Sequence, residues 1–271
     1  MKISEVIEKI KQWHEPFEAK EVGRDLILKG NADQECTGII ITVCATFDVL
    51  KKAKEKHCNL IITHESIFYG ANEEEAKVND VLQAKSQFIE ENGLCVWRDH
   101  DRMHGNSGEN RTRNDYIFTG LMKELDWEDY VVGDKMKPLW YKIPKTNTQE
   151  LASFLIERFR LNGLRIVGNK EAEIETVWFA EHVQGGKWDK GKLAGGLKAD
   201  AIIPFEICDF TLTQYVFDAA SMNQNKVLLE MGHFNAEELG MKYMTEWIKE
   251  IINDIPIEFI QSGDFFSYTL K

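Results

Sequence analysis

The sequence predicts an α/β protein of two βαβ-type lobes, with largely parallel sheets meeting at a metal site and an α+β elaboration in mid-chain. Three observations carry that prediction. Short apolar, β-branched runs alternate with amphipathic helical stretches. The runs are almost continuously apolar, as in strands covered on both faces. The alternation also occurs twice, once after Thr37 and again after Ala199.

The elements follow in order. Ile3, Val6, Ile7, Ile10 and Trp13 share one helical face, and His14-Glu15-Pro16 ends it, because the residue before proline disfavours the α region. Residues 38–43 read as a strand, and Phe47, Leu50 and Ala53 mark the helix after it. A second strand over 59–63 runs into His64. Val78, Val81, Leu82, Phe88 and Ile89 outline a longer helix that Asn92-Gly93 closes. Residues 94–97 form a third strand, just before His100.

The last third repeats the scheme. Residues 201–203 and 226–231 read as strands, with a helix marked by Phe210, Leu212, Tyr215, Val216 and Ala219 between them. An amphipathic stretch over 236–252 and a strand over 257–260 complete this lobe. The middle differs: residues 131–132, 140–143 and 177–179 suggest strands around one helix, 148–160. Gly185, Gly186, Gly191, Gly195 and Gly196, with Lys187, Lys190, Lys192 and Lys198 among them, suggest a mobile loop. The expected organisation is a metal-binding core of 1–128 with 197–271, and a middle elaboration over 129–196.

Composition narrows the function. The 271 residues include 33 Lys and Arg against 45 Asp and Glu, a formal net charge of -12. That balance argues against nucleic acid as a partner, since such binding needs basic surface. No run approaches the roughly 20 apolar residues of a membrane span, and the first 13 residues lack the apolar core of a signal peptide. Cys36, Cys44, Cys58, Cys95 and Cys208 have no CxxC spacing and read as free thiols of a cytoplasmic protein.

The chemistry sits in three short clusters from distant parts of the chain. They are His64-Glu65 at a strand end, His100 with His104, and Gly232-His233 with Asn235 and Glu237. Imidazole nitrogens and carboxylate oxygens suit Zn, Fe, Mn and Co. His64 and Glu65 can face one cavity only where the strand has ended. His100 and His104, like His233 and Glu237, are spaced to share one side of a turn or helix. Asn235 is a candidate helix N-cap, which puts Glu237 in the first turn. Each cluster alone reads more readily as hydrogen-bonded surface; their recurrence at one sheet edge, where open α/β sheets bind ligands, turns the reading to metal. Glu206, after a strand of the second lobe, is either a general base or an edge carboxylate. His182 beside Glu181 is intermediate, His57 is a helix-dipole partner, and His14 is structural. There is no GxSxG elbow and no phosphate-binding loop.

With these motifs assembled, the chain resembles the NIF-three-like family of dinuclear metal-centre proteins, often called GTP cyclohydrolase type 2-like. The resemblance spans most of the chain and is strongest over 37–68, 94–125 and 199–247. The family carries a His-His pair after a strand, a His-xxx-Asp segment and a Gly-His-xxx-Glu segment. Here these read His64-Glu65, His100-xxx-His104 and Gly232-His233-xxx-Glu237. One site gains a carboxylate and the other an imidazole, so the ligand inventory is kept. The resemblance implies two divalent ions per chain, with Glu237 bridging, His64 and His233 on one side and Glu65 and His104 on the other. His100 is then an outer partner or a substrate-facing acid/base. It also implies a homo-oligomer, commonly a hexameric ring.

The function expected is a metal-dependent hydrolase acting on a small polar or nucleotide-like substrate, with His100 or Glu206 moving a proton. The alternative is a non-catalytic metal-binding regulatory or scaffold protein.

Overall fold

The structure, a computed structural model, describes residues 1–17, 23–105 and 113–269. Along the chain run α1 (Ile3–Trp13), β1 (Ile27–Lys29), β2 (Ile39–Thr42), α2 (Phe47–Glu55), β3 (Leu60–Thr63), α3 (Glu73–Val78), α4 (Asp80–Glu91), β4 (Cys95–Arg98) and α5 (Tyr116–Glu124). Then come β5 (Trp140–Asn147), α6 (Thr148–Phe159), β6 (Arg165–Gly168), β7 (Glu173–Val183), α7 (Lys192–Gly196), β8 (Ala201–Ile207), α8 (Leu212–Ser221), β9 (Val227–Glu230), α9 (His233–Ile251) and β10 (Ile257–Phe259). The chain forms two compact units, one of 1–120 with 240–262, the other of 121–239 with 263–271.

In the first unit a five-stranded sheet has the order β1-β4-β3-β2-β10. All its pairs are parallel except β1 with β4. Every residue of β2 and β3 is buried, which is why these strands read as unbroken apolar runs. Ile40, Ile61 and Val96 pack on one face against Val49, Leu50 and Ala53 of α2 and Ile89 of α4. Thr42 pairs with Thr63, and Thr63 with Arg98, so β2, β3 and β4 end level with one another. The residues that follow, His64 and Asp99-His100, therefore emerge at the same carboxyl edge.

The second unit holds another five-stranded sheet, β5-β7-β8-β9-β6. Its central pairs, β7 with β8 and β8 with β9, are parallel, and its outer strands are antiparallel. Trp178, Ile202 and Leu228 pack against Leu212 and Val216 of α8.

Several expectations are refined. Residues 257–260 belong with the first sheet, where Ile257 pairs with Ile39, because the apolar edge of β2 accepts them. The middle segment supplies β5, β6 and β7 to the same sheet as β8 and β9, so strands from 129–196 and from 197–271 share one core. Residues 131–132 make only an isolated bridge, Val131 to Tyr141. The glycine- and lysine-rich stretch contains a 3-10 turn, Gly186–Asp189, and the short α7. Among the described residues no helix is long and apolar enough to cross a membrane. All five cysteines are free thiols; Cys44, Cys58 and Cys95 are buried, and Cys36 and Cys208 are partly exposed.

Candidate metal centre

The first unit gathers His64, His100 and His104, whose ring nitrogens lie within 4.8 Å of one another. His64 leaves the end of β3 with its backbone N–H donating to the Val43 carbonyl at 3.1 Å. Its ring is fully buried. His64 Nδ1 lies 3.2 Å from the Asp99 carbonyl oxygen. A carbonyl only accepts, so Nδ1 carries the proton and Nε2 keeps a lone pair. His104 is fixed in the same sense. Its Nδ1 donates to Asp115 Oδ2 at 3.1 Å, and Asp115 Oδ1 accepts from Phe118 N, capping α5. The two Nε2 atoms then face each other at 3.2 Å.

Two acceptor lone pairs that close repel each other unless a proton or a metal cation lies between them. A cation bound tetrahedrally at the usual metal–imidazole distance holds two nitrogens about 3.3 Å apart. The fixed tautomers, the outer acceptors and this separation are the arrangement of metal-ligating histidines. The donor set therefore fits a divalent cation.

His100 stacks on His64, ring centroids 4.3 Å apart. Its Nδ1 donates to Asp101 Oδ1 at 3.1 Å, and its Nε2 faces the Arg24 guanidinium at 3.2 Å. Burial holds its pKa far below the usual imidazole range, with the Arg24 and Arg98 guanidiniums adding to it, so the ring is neutral. Glu65 Oε2 accepts from Arg98 at 2.8 Å, and Arg98 Nε also donates to the His64 carbonyl at 2.8 Å. Arg98 thus clamps the two residues after β3. The resemblance groups His104 with Glu65, whereas the structure brings the lone pair of His104 to His64.

A buried carboxylate fixes the segment that carries His100 and His104. Asp25 accepts from the backbone N–H groups of His100 and Asp101 at 2.7 Å each and of Arg102 at 3.2 Å. It also pairs with the Arg102 guanidinium at 2.8 Å. Just past His104, Gly105 adopts a φ of +62°, and a Cβ there would meet the Asn114 carbonyl at 2.5 Å. His14, expected to be structural, is buried at the end of α1, edge-on to Trp13 and Trp247, with Nε2 3.6 Å from Asp99 Oδ2. His57 lies exposed just beyond α2, where its carbonyl accepts from Thr37 Oγ1 at 2.7 Å.

The second unit gathers His182, Glu206 and His233, again within 4.8 Å. His182 and Glu206 are cross-strand partners on β7 and β8. His182 Nδ1 lies 2.7 Å from Glu206 Oε1. The other oxygen, Oε2, faces His233 Nδ1 at 3.4 Å, and His233 Nε2 lies 3.2 Å from Glu237 Oε2 one helical turn on. Burial alone would raise the Glu206 pKa; the His182 and His233 imidazoles outweigh it and pull the carboxyl down to about 2. Burial alone would lower His233; Glu206 and Glu237 outweigh it and push the ring up to about 10. Glu206 thus lies between two imidazoles and, with so low a pKa, is a weak general base.

The β9–α9 junction places His233. Gly232 has a φ of +94°, and a Cβ there would lie 2.6 Å from the Phe266 ring. The helix begins at His233, so Asn235 is not its N-cap. Its amide donates instead to the Met231 carbonyl at 2.7 Å and to Asp264 at 3.0 Å, tying the first turn back to the strand. The same unit has a cleft of about 840 Å³ lined in part by Lys187, Lys190, Gln214 and Tyr215.

Sequence reasoning did not find Asp25, Arg98, Asp99 or Asp115 as supports of the first group. Asp115 had a local signal, an aspartate directly before a helical apolar pattern; the others act from separate parts of the chain. The sequence gives His182 no cross-strand partner because β7 and β8 run on to Val183 and Ile207, beyond the strands it predicts.

Comparisons with known proteins bear on the family and the fold. Over 269 residues the chain is 24% identical to a Clostridium perfringens protein named GTP cyclohydrolase 1 type 2 homolog, covering 97% of each. A Clostridium acetobutylicum protein of the same name is 23% identical over 85% of this chain and 83% of its own length. A Staphylococcus aureus structure matches with a TM-score of 0.69 at 16% identity, covering 99% of both chains. A Bacillus cereus protein related to NIF3 matches with 0.68 at 12% identity, again over 99% of both. These structural likenesses show the shared fold. The model of the family described as Duf34/NIF3 (NGG1p interacting factor 3) matches residues 1–264, and the chain belongs to that family.

Proposed function

We propose that the chain is a divalent-metal-dependent hydrolase acting on a small polar or nucleotide-like substrate. The observation that carries this reading is the His64–His104 pair, whose outer nitrogens are engaged and whose Nε2 atoms face each other at 3.2 Å. The proposed donors are His64, Glu65 and His104, with His233 and Glu237, for two divalent ions per chain among Zn, Fe, Mn and Co. Such cations supply Lewis acidity, which polarises a substrate oxygen and lowers the pKa of water. The chain's own residues do the rest. Asp115 and the Asp99 carbonyl hold the imidazoles, Arg98 orients Glu65, and neutral His100, stacked on His64, is held between Asp101 and Arg24 as an outer partner. Lys187 and Lys190, on the cleft of the second unit, suit an anionic group. The name of the clostridial relatives makes GTP the first substrate to try. The same reading includes a cytoplasmic homo-oligomer, with a hexamer as the size to look for by light scattering.

The test is elemental mass spectrometry on untagged protein purified without chelator, beside His104→Ala and Glu237→Gln, followed by hydrolysis assays with the metal found. About two ions per chain, falling in each variant, with turnover lost in Glu237→Gln, is the expected result. No bound metal after loading with Mn, Fe, Co and Zn sinks the reading. Metal without turnover on nucleotides and other small phosphate or amide substrates leaves a binding protein instead.

A further inference from the structure

In the first unit each facing imidazole has a partner for its outer nitrogen, the Asp99 carbonyl for His64 and the Asp115 carboxylate for His104. His233 in the second unit needs the same. A metal-bound imidazole keeps its one proton on the nitrogen that faces a fixed acceptor, which commits the other nitrogen to binding.

Glu206 is placed to be that acceptor. Its Oε2 faces His233 Nδ1 at 3.4 Å, on the opposite side of the ring from the Nε2 that lies 3.2 Å from Glu237. The carboxylate is itself anchored. Oε1 accepts from His182 Nδ1 at 2.7 Å and from the Gln184 amide. The backbone sets up this anchor: the register of β7 against β8 shifts around Glu181, whose φ is +55°, and then pairs His182 directly with Glu206. A bulge at that point re-aims the side chains that follow it.

We propose that Glu206 is the positioning residue of His233: it accepts from Nδ1–H, keeping the proton on that nitrogen and leaving Nε2 as the metal-binding nitrogen, while His182 and Gln184 hold the carboxylate in place. This rests on the metal reading above and gives Glu206 a role distinct from a general base. His182 serves it as a remote support that touches neither substrate nor metal.

The test uses the full chain, stripped of metal and titrated with Co²⁺, followed by calorimetry and by the visible Co²⁺ spectrum. Wild type is compared with Glu206→Gln, Glu206→Asp and His182→Gln, each first shown to keep a cooperative thermal transition. Losing an outer partner of a metal-ligating histidine weakens binding about 10- to 100-fold. Glu206→Gln is expected to keep full stoichiometry at saturation, with one class of Co²⁺ weakened by that factor. Glu206→Asp should recover part of the loss, and His182→Gln should shift the same class by less. Unchanged affinity in Glu206→Gln overturns the proposal. Loss of one equivalent at saturating Co²⁺ also overturns it, because Glu206 would then be a ligand. A wild-type chain that binds no Co²⁺ overturns the metal reading itself and this proposal with it, an outcome visible in the first titration.

Discussion

Asp25 shows how much of the site depends on a residue with no metal chemistry of its own. Its carboxylate satisfies three consecutive backbone N–H groups and one guanidinium. Removing it leaves those donors buried and unpaired, so Asp25→Ala is expected to cost about 3 kcal/mol. Urea unfolding should read this as a lower midpoint at unchanged slope, with metal content falling too. A variant of wild-type stability would mean water takes over the carboxylate's role. The two residues at which the chain departs from its family's pattern were legible in the sequence, and each has a charged neighbour suited to it: Arg98 for Glu65, Asp115 for His104. Those neighbours were not legible as such, because sequence spacing cannot say which distant charge a ligand meets. The thiols give a simpler check. Burial pushes Cys36 and Cys95 up to about 11. At pH 8 both should stay protonated and resist iodoacetamide in the folded chain, and react fully once it is unfolded in urea. Rapid labelling of Cys95 in folded protein would contradict its burial.

At the scale of elements, the histidines are set by where strands stop and helices start. The apolar runs of β2, β3 and β4 were readable because each is buried on both faces, and their level ends follow from parallel register. Asn235 taken as an N-cap predicts a start for α9 about one turn later than the helix has, which begins at His233. The residues after Gly232 include His233 and Asn235, and the capping preference of asparagine outweighed the positive φ available to glycine. Gly232→Ala tests that junction. The strained φ and the approach to Phe266 are expected to cost about 2 kcal/mol. Displacement of His233 should lower the affinity of one class of metal while His64 and His104 keep the other. Equal loss of both classes would show that the junction supports the whole fold and not one ligand.

On the scale of the whole molecule, the units are not consecutive stretches of chain. The sequence showed two α/β lobes, since each has its own strand and helix periodicity. It did not show that β10 returns to the first sheet, because a short apolar run carries no label for its partner. Ending the chain after Pro256 should therefore disrupt the first unit, not the second. Hydrogen exchange is expected to rise in β2 and β3 and stay low in β7 and β8; the reverse pattern would refute the pairing of Ile257 with Ile39. That pairing also bears on how the protein is made. Ribosomes add roughly 5–20 residues per second, so β10 follows β2 out of the synthetic machinery by about 10–40 s. Throughout that interval Ile39, Ile40 and Ile41 present an uncovered apolar strand edge, the kind that recruits other chains. The half that is made first therefore carries an unpaired strand edge until β10 is made, and pairing of Ile257 with Ile39 is what closes it.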